Sequence, residues 1–317
     1  MLNQVQHDKR TTGVLKVATC QFAVGRSIKR NGRQICELLH KATKVKADIV
    51  HFPECALSGY AGTDFPSFAG YNWELLKEET LKIMALAGKL RLWVVLGSTH
   101  RLTPDKNFRG QAEPGKPATR IRHTNDGQVA GKPHNSLYLI NREGKIVDRY
   151  DKRFCTRQDL RRLTPGNRFV FFTINGVKCS LLICFDLRFP ELYRQLYKQG
   201  VNCIFQSFYN ARQNGPSVHT HIMRQTMQCH AATNHFWVSM SNASGYYSPY
   251  PSCFIQPDGM IMRQLKANRA GIMVNTVDLS KEFYDPMADF RDMAIAGALN
   301  NAPKVINDPH SKNTTSL

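Results

Sequence analysis

The stretch Val177-Lys178-Cys179-Ser180-Leu181-Leu182-Ile183-Cys184-Phe185-Asp186-Leu187-Arg188-Phe189-Pro190-Glu191-Leu192-Tyr193-Arg194-Gln195-Leu196-Tyr197 decides how this chain folds. Its first seven residues are mostly aliphatic or β-branched, as in a strand buried on both faces. Pro190 suits a first helical turn, and Leu192, Tyr193 and Leu196 recur at helical spacing. The pentad between them, Cys184 to Arg188, is a strand-to-helix turn that opens on a thiol. A thiol there lies near the positive pole of a helix, where a thiolate is favoured and a backbone N–H such as that of Phe185 can hold an oxyanion. Nucleophilic catalysis needs that geometry. A free cysteine at a strand end is otherwise only a small hydrophobe, and the turn around Cys184 sets it apart.

Outward from this stretch, apolar runs predict strands over residues 15–21, 48–52, 92–98, 201–208, 236–241 and 271–277. Hairpins join 136–141 to 145–150 around Glu143-Gly144, and 253–255 to 260–262 around Pro257-Asp258-Gly259. Amphipathic helices are expected over 28–45, 74–90, 190–198 and 218–233. Paired helices and frequent hairpins fit neither an alternating βα barrel nor an all-β sandwich. They predict an α/β fold, a four-layer α-β-β-α sandwich of two mixed sheets. One domain is expected over residues 14–300, between a polar N-terminal segment (1–13) and a polar tail (301–317). Residues 103–132, rich in Gly, Pro, Arg and Asn, read as a long surface insertion.

Forty-three basic against twenty-four acidic residues give a net charge of +19, which favours polyanions or acidic small substrates. No zinc-finger, helix-turn-helix or aromatic RNA-binding pattern accompanies the charge, so nucleic acid is not the expected partner. No apolar run reaches membrane-spanning length, and residues 1–13 lack a signal-peptide core, so a soluble cytoplasmic protein is expected. Nine scattered cysteines read as reduced thiols. His219, His221, His230 and His235 lack the spacing of a zinc helix, and no metal is expected.

Three strand ends carry reactive side chains: His51-Phe52-Pro53-Glu54 with Ser58-Gly59-Tyr60 following, Asp148-Arg149-Tyr150-Asp151-Lys152, and the Cys184 turn. Together they resemble the carbon–nitrogen hydrolase (nitrilase) superfamily, in its amidase/carbamoylase-like branch, whose triad is Glu, Lys and Cys in that chain order. Pro53-Glu54 with Gly59-Tyr60 matches its first motif, Tyr150 and Lys152 its second, and Cys184 to Glu191 its third. The resemblance covers roughly residues 14 to 300. It implies a catalytic set of Glu54, Lys152 and Cys184, no cofactor, and a homodimer or larger assembly built on the helices near 190–198 and 218–233. Asp186 and Arg188 are then expected to buttress the turn in an Arg–Asp network that Glu191 can join. Many relatives carry a second Glu between the Lys and the Cys. Here residues 153–183 contain one acid, Asp159. Either it substitutes, or the carboxylate comes from elsewhere, or none is used.

The chemistry suits these residue types. An amide is a poor electrophile and needs a thiolate or a base-assisted thiol. Glu54 would take the Cys184 proton and return it to the leaving amine, its pKa raised by burial. The Lys152 ammonium and the Phe185 amide would stabilise the tetrahedral oxyanion. Tyr60, Phe154, Phe208, Tyr209 and Asn210 follow strand ends on the same side and are the expected substrate-binding walls. The expected substrate is a small carboxamide or N-carbamoyl amine. An arginine-rich segment over 153–168 suits an anionic end. Phe185-Asp186 stands where nitrile-cleaving relatives carry Trp-Glu, which disfavours nitrile hydrolysis. Acyl transfer through the same thioester, and a basic nucleic-acid-associated scaffold without activity, are the alternatives.

Overall fold

The computed structural model describes residues 12–102, 131–301 and 315. The expected 103–132 insertion, all but its last two residues, lies outside them, as do most of residues 1–13 and of the 301–317 tail. The chain divides into two units, Met1–Phe283 and Tyr284–Leu317.

The first unit holds two six-stranded sheets. One runs in the order β12 (Gly271–Asp278), β1 (Val14–Gln21), β2 (Ile49–His51), β3 (Trp93–His100), β4 (His134–Ile140), β5 (Ile146–Asp151). The other runs β11 (Ile261–Gln264), β10 (Cys253–Ile255), β9 (Trp237–Asn242), β8 (Cys203–Phe208), β7 (Val177–Ile183), β6 (Phe171–Ile174). In each sheet three central strands are parallel and the flanking strands antiparallel. The parallel crossovers are helices, as such connections require. These are α1 (Ile28–Lys44) and α2 (Trp73–Leu90) on the first sheet, α3 (Pro190–Lys198) and α4 (Val218–Asn234) on the second.

Side-chain alternation builds the layers. Leu15 and Val17 of β1 belong to the core shared by the sheets, whereas Ala18 and Cys20 belong to the outer core with Ile35 and Leu39 of α1 and Ile83 and Ala87 of α2. Each fully buried Val, Leu or Ile side chain among them contributes about 1.5–3 kcal/mol. Leu192 and Leu196 of α3 and Met223 and Met227 of α4 cover the second sheet. The result is the expected four-layer α-β-β-α sandwich of two mixed sheets. Helix starts follow local chemistry: the Ser27 side chain accepts from Arg30 N, that of Asn72 from Leu75 N, and Pro190 opens α3.

A polar seam pins the sheets together. Thr19 Oγ1 lies 2.7 Å from Ser239 Oγ, and His51 bridges Ser239 and Ser207, at 2.8 Å to each. Ser207 Oγ donates to the Phe52 carbonyl at 2.9 Å. Its single proton is thereby used, so His51 donates from Nε2 and accepts at Nδ1. Burial holds this imidazole neutral, its pKa pushed down to about 3. The seam thus anchors the end of β2, His51, three residues before Glu54.

Strand β6 was not expected. It pairs antiparallel with β7 through Asn175-Gly176, both at positive φ (52° and 86°). That dipeptide is a two-residue hairpin signal in its own right. In the second unit a short helix, α5 (Arg291–Ile295), forms, and Arg291 pairs with Asp285.

Candidate active site

Four strand ends meet here. Glu54 follows β2, Lys152 follows β5, Cys184 follows β7, and Tyr209 and Asn210 follow β8. The first two strands belong to one sheet and the last two to the other, so the site is assembled across the sandwich.

The turn carrying Glu54 packs against β3, where a Cβ on Gly97 would lie 1.9 Å from the Pro53 carbonyl oxygen. Only glycine admits that approach. Glu54 is fully buried. Its Oε1 accepts from Asn135 Nδ2 at 2.7 Å and from Lys152 Nζ at 2.9 Å, and its Oε2 accepts from the Tyr209 amide at 2.8 Å. Lys152 Nζ also donates to Asp159 Oδ2 at 3.0 Å and to Tyr60 Oη at 3.5 Å. Asp159 further accepts from Tyr60 Oη at 2.6 Å and from the Thr156 amide at 3.0 Å.

One ammonium therefore faces two carboxylates, and their surroundings drive them apart. Burial pushes the Glu54 pKa up, and the Lys152 charge only partly offsets it. At Asp159 burial also acts upward, but the Lys152 charge and the Tyr60 and Thr156 bonds outweigh it and hold the pKa below the usual range. Burial works against the Lys152 charge as well, yet Glu54 and its other neighbours hold its pKa well above the ordinary value. Asp159 is the standing counter-ion of Lys152, and Glu54 is the carboxyl with the higher proton affinity. Such divergence marks acid–base partners.

Cys184 begins a single 3-10 turn, Cys184–Arg188, at φ 40°. The left-handed region costs a non-glycine residue about 1–2 kcal/mol. Asp186 holds the turn: its Oδ2 accepts from the Ile183 amide (2.9 Å) and Tyr150 Oη (2.8 Å), and its Oδ1 from the Phe154 amide (2.8 Å). Burial raises the Asp186 pKa to about 6 against these bonds. Asp186→Asn offers one acceptor oxygen and turns an NH2 toward N–H or O–H donors. We expect it to lose about 1–3 kcal/mol, read as a lowered denaturation midpoint with unchanged m-value.

The sulfur accepts from Asn210 Nδ2 at 3.4 Å, next in sequence to the amide that holds Glu54. Two consecutive residues of one loop thus contact the carboxylate and the thiol. The surroundings of the thiol work against ionisation, which favours the base-assisted thiol over the preformed thiolate. Burial and the Glu54 charge push the thiol pKa up, and Lys152 only partly opposes them.

The other expected positions divide. Tyr60 is in the cluster, its ring 4.9 Å from that of Tyr209. Phe208 lies in the core, edge-on to Tyr250; its carbonyl, accepting from the Glu54 amide at 3.3 Å, is what meets the site. Phe154 stacks on Phe189 at 3.5 Å, and Phe189 in turn meets Phe185 edge-on. In place of the expected Arg–Asp network, Asp186 is satisfied by Tyr150 and two amides, while Arg188 Nη2 lies 3.5 Å from His219 Nδ1. His230 donates to the Leu187 carbonyl at 2.9 Å and stacks on Tyr193. Asn135 was missed; the polar Asn135-Ser136 pair opening an otherwise apolar strand was its one signal. No cluster of three metal-ligating side chains occurs among the described residues, and none of their helices is long and apolar enough to cross a membrane.

A sulfur, an ammonium and two carboxylates at the strand ends of a double-sheet sandwich define a cysteine-centred site of the carbon–nitrogen hydrolase type. The chain belongs to the carbon-nitrogen hydrolase family, whose model matches residues 16–282, and it is an enzyme of hydrolytic carbon–nitrogen cleavage. It is 25% identical over 274 residues to the omega-amidase NIT2 of Mus musculus, covering 84% of this chain and 89% of that one. It is 31% identical over 166 residues to a hydrolase in the agr operon of Staphylococcus lugdunensis, covering 48% of this chain and 68% of the relative. An amidase from Nesterenkonia shares the fold, with TM-score 0.66 at 17% identity over 90% of this chain and 95% of that one.

Proposed function

We propose that this enzyme hydrolyses a small carboxamide through a thioester on Cys184. The observation that carries the reading is one buried ammonium, Lys152 Nζ, held between Glu54 Oε1 at 2.9 Å and Asp159 Oδ2 at 3.0 Å, with burial raising the Glu54 pKa while Lys152 and the Tyr60 and Thr156 bonds keep that of Asp159 low. It leaves Glu54 as the carboxylate able to accept and return a proton. Glu54 takes the Cys184 proton as the sulfur attacks the carbonyl carbon. Lys152 and the Phe185 amide hold the developing oxyanion. The C–N bond breaks, Glu54 gives the proton to the nitrogen, and ammonia leaves. Glu54 then takes a proton from water; the hydroxide attacks the thioester, the C–S bond breaks, and the sulfur regains its proton as the carboxylic acid is released.

The substrate class we propose is a carboxamide with an anionic far end. Arg188, four residues from the nucleophile, has no carboxylate partner among the described residues and meets a His219 whose pKa is lowered by burial and by Arg188 itself. A guanidinium so placed suits a substrate carboxylate. The omega-amidase relative supports the carboxamide. Ammonia release from a panel of dicarboxylic acid monoamides, uncharged amides and N-carbamoyl amines tests this. The monoamides are expected to lead; activity confined to carbamoyl amines would overturn it.

The pH profile has a definite sign. Glu54 serves as base only when ionised, and its raised pKa moves that ionisation above the ordinary 4.5. The acid limb of kcat/KM is expected above 4.5, activity falling as pH falls. A limb at or below 4.5 would contradict the assignment.

A further inference from the structure

Two loops divide the work of the site. The loop after β8 places the Tyr209 amide on Glu54 and the Asn210 amide group on the Cys184 sulfur. The loop after β2 places Tyr60 Oη between Lys152 and Asp159. They come from different sheets. What ties them lies away from the reacting groups.

Asp64, four residues after Tyr60, is almost wholly buried at its side chain (1% exposed), and its Oδ2 accepts from the Tyr60 amide at 2.8 Å. Its other oxygen, Oδ1, accepts from Arg212 Nε at 3.0 Å. Arg212 is two residues past Asn210. Its backbone stands at φ 57°, its amide donates to the Gly245 carbonyl at 3.1 Å, and its Nη2 donates to the Val24 carbonyl at 3.0 Å. The fit is close: a Cβ on Gly25 would come within 3.2 Å of Nη2. The guanidinium thus ties the loops after β1 and β2 to its own loop after β8, and the Arg212 backbone amide adds the loop after β9. Arg212 adopts a backbone region unfavourable for its residue type to do so, and such local conflicts concentrate where function demands them.

We propose that the Asp64–Arg212 pair is a positioning latch: it locks the loop that holds Glu54 and Cys184 to the loop that holds Lys152 and Asp159. Neither residue touches the reacting atoms. The latch acts through Tyr60 on one side and through Tyr209 and Asn210 on the other. An exposed ion pair adds little to stability, and Arg212 is 43% exposed. Its role is registration of the two loops, where a displacement of about 1 Å costs up to about 100-fold in rate. The assignment of reacting groups on which this rests is the one proposed above.

The test uses Arg212→Ala, Arg212→Lys and Asp64→Asn in the full chain, with two readouts. The first is kcat and KM for the best amide. The second is the pH dependence of Cys184 alkylation by iodoacetamide, followed on the Cys184 peptide by mass spectrometry, which needs no substrate. Arg212→Ala is expected to lower kcat about 10- to 100-fold with KM changed less than about threefold. Alkylation should slow about tenfold, and its rise with pH should move to higher pH, as for a thiol that burial keeps from ionising and that Glu54 no longer assists. Asp64→Asn keeps an oxygen for the Tyr60 amide but cannot form the ion pair, and should reproduce both effects. Arg212→Lys keeps the charge without the fork and should fall between. Millimolar guanidinium should restore part of the Arg212→Ala rate, a rescue that a merely structural role would not show. Folded variants with wild-type kcat and a wild-type alkylation profile would overturn the latch. A silent amide panel with a shifted alkylation profile would count against the hydrolase reading and for the latch.

Discussion

Glu54→Gln is expected to lower kcat on a carboxamide by about 10²–10⁴-fold. The glutamine fills the same buried space, and its Oε1 can keep the bonds from Asn135 and Lys152. Its NH2 then faces the Tyr209 amide, and it cannot take a proton. The loss should be large because burial and the Glu54 charge push the Cys184 thiol pKa up, so the sulfur depends on a base. A site with a preformed thiolate would tolerate the change far better. KM should move little, since Glu54 is spent on the transition state and not on holding substrate. A variant retaining a tenth or more of wild-type kcat would show that the sulfur is activated by some other group.

Lys152→Met is expected to lose both activity and stability. Removing an oxyanion donor costs about 10²–10³-fold in kcat. The stability loss has a separate origin. Glu54 and Asp159 share this ammonium inside the protein, at 2.9 and 3.0 Å, with Lys152 itself 1% exposed. Breaking a buried pair by deleting one partner costs about 3–5 kcal/mol, because the remaining charge has no counterpart. Here two carboxylates are left. Part of the loss should return at low pH, where they protonate. With the ammonium gone, the chief influence that lowers both carboxyl pKa values is gone too, so both take up protons more readily as pH falls. Chemical denaturation at two pH values reads this directly. A destabilisation under about 1 kcal/mol at neutral pH would mean the ammonium is not the shared counter-ion.

The residues that were legible in the sequence are those whose role is fixed by local pattern. The Val177–Ile183 run, the pentad after it and Pro190 give strand, turn and helix start from nearest neighbours alone. Pro53-Glu54 and Cys184 each follow a short apolar run, and Lys152 follows the second strand of the hairpin around Glu143-Gly144, which places all three at strand ends. What was not legible depends on partners distant in the chain. Asn135 bonds Glu54 across 81 residues, and Tyr209 reaches it with a backbone amide that carries no side-chain signature. Asp159 was noticed as a lone acid, but its place on Lys152 follows from how the loop after β5 closes. Phe208 misled because β8 is buried on both faces, so its alternation gives no inward side to read. Of the two expected forms of the nucleophile, thiolate or base-assisted thiol, the surroundings of Cys184 favour the second. A helix pole is a local feature, whereas the burial and charge that govern Cys184 come from the other sheet. The hairpin at Asn175-Gly176 has a local signal, but its first strand, β6, is only four residues long.

The most direct test of the account is a rapid-quench experiment with the wild-type enzyme and an amide taken from the panel, digested and mapped by mass spectrometry while ammonia is measured in parallel. The account predicts an acyl group on the Cys184 peptide and on none of the other cysteine peptides. That adduct should form together with the first equivalent of ammonia and be absent from Cys184→Ala, which should release none. Ammonia released at the wild-type rate by Cys184→Ala, or turnover by wild type with the acyl group on another residue, would contradict it.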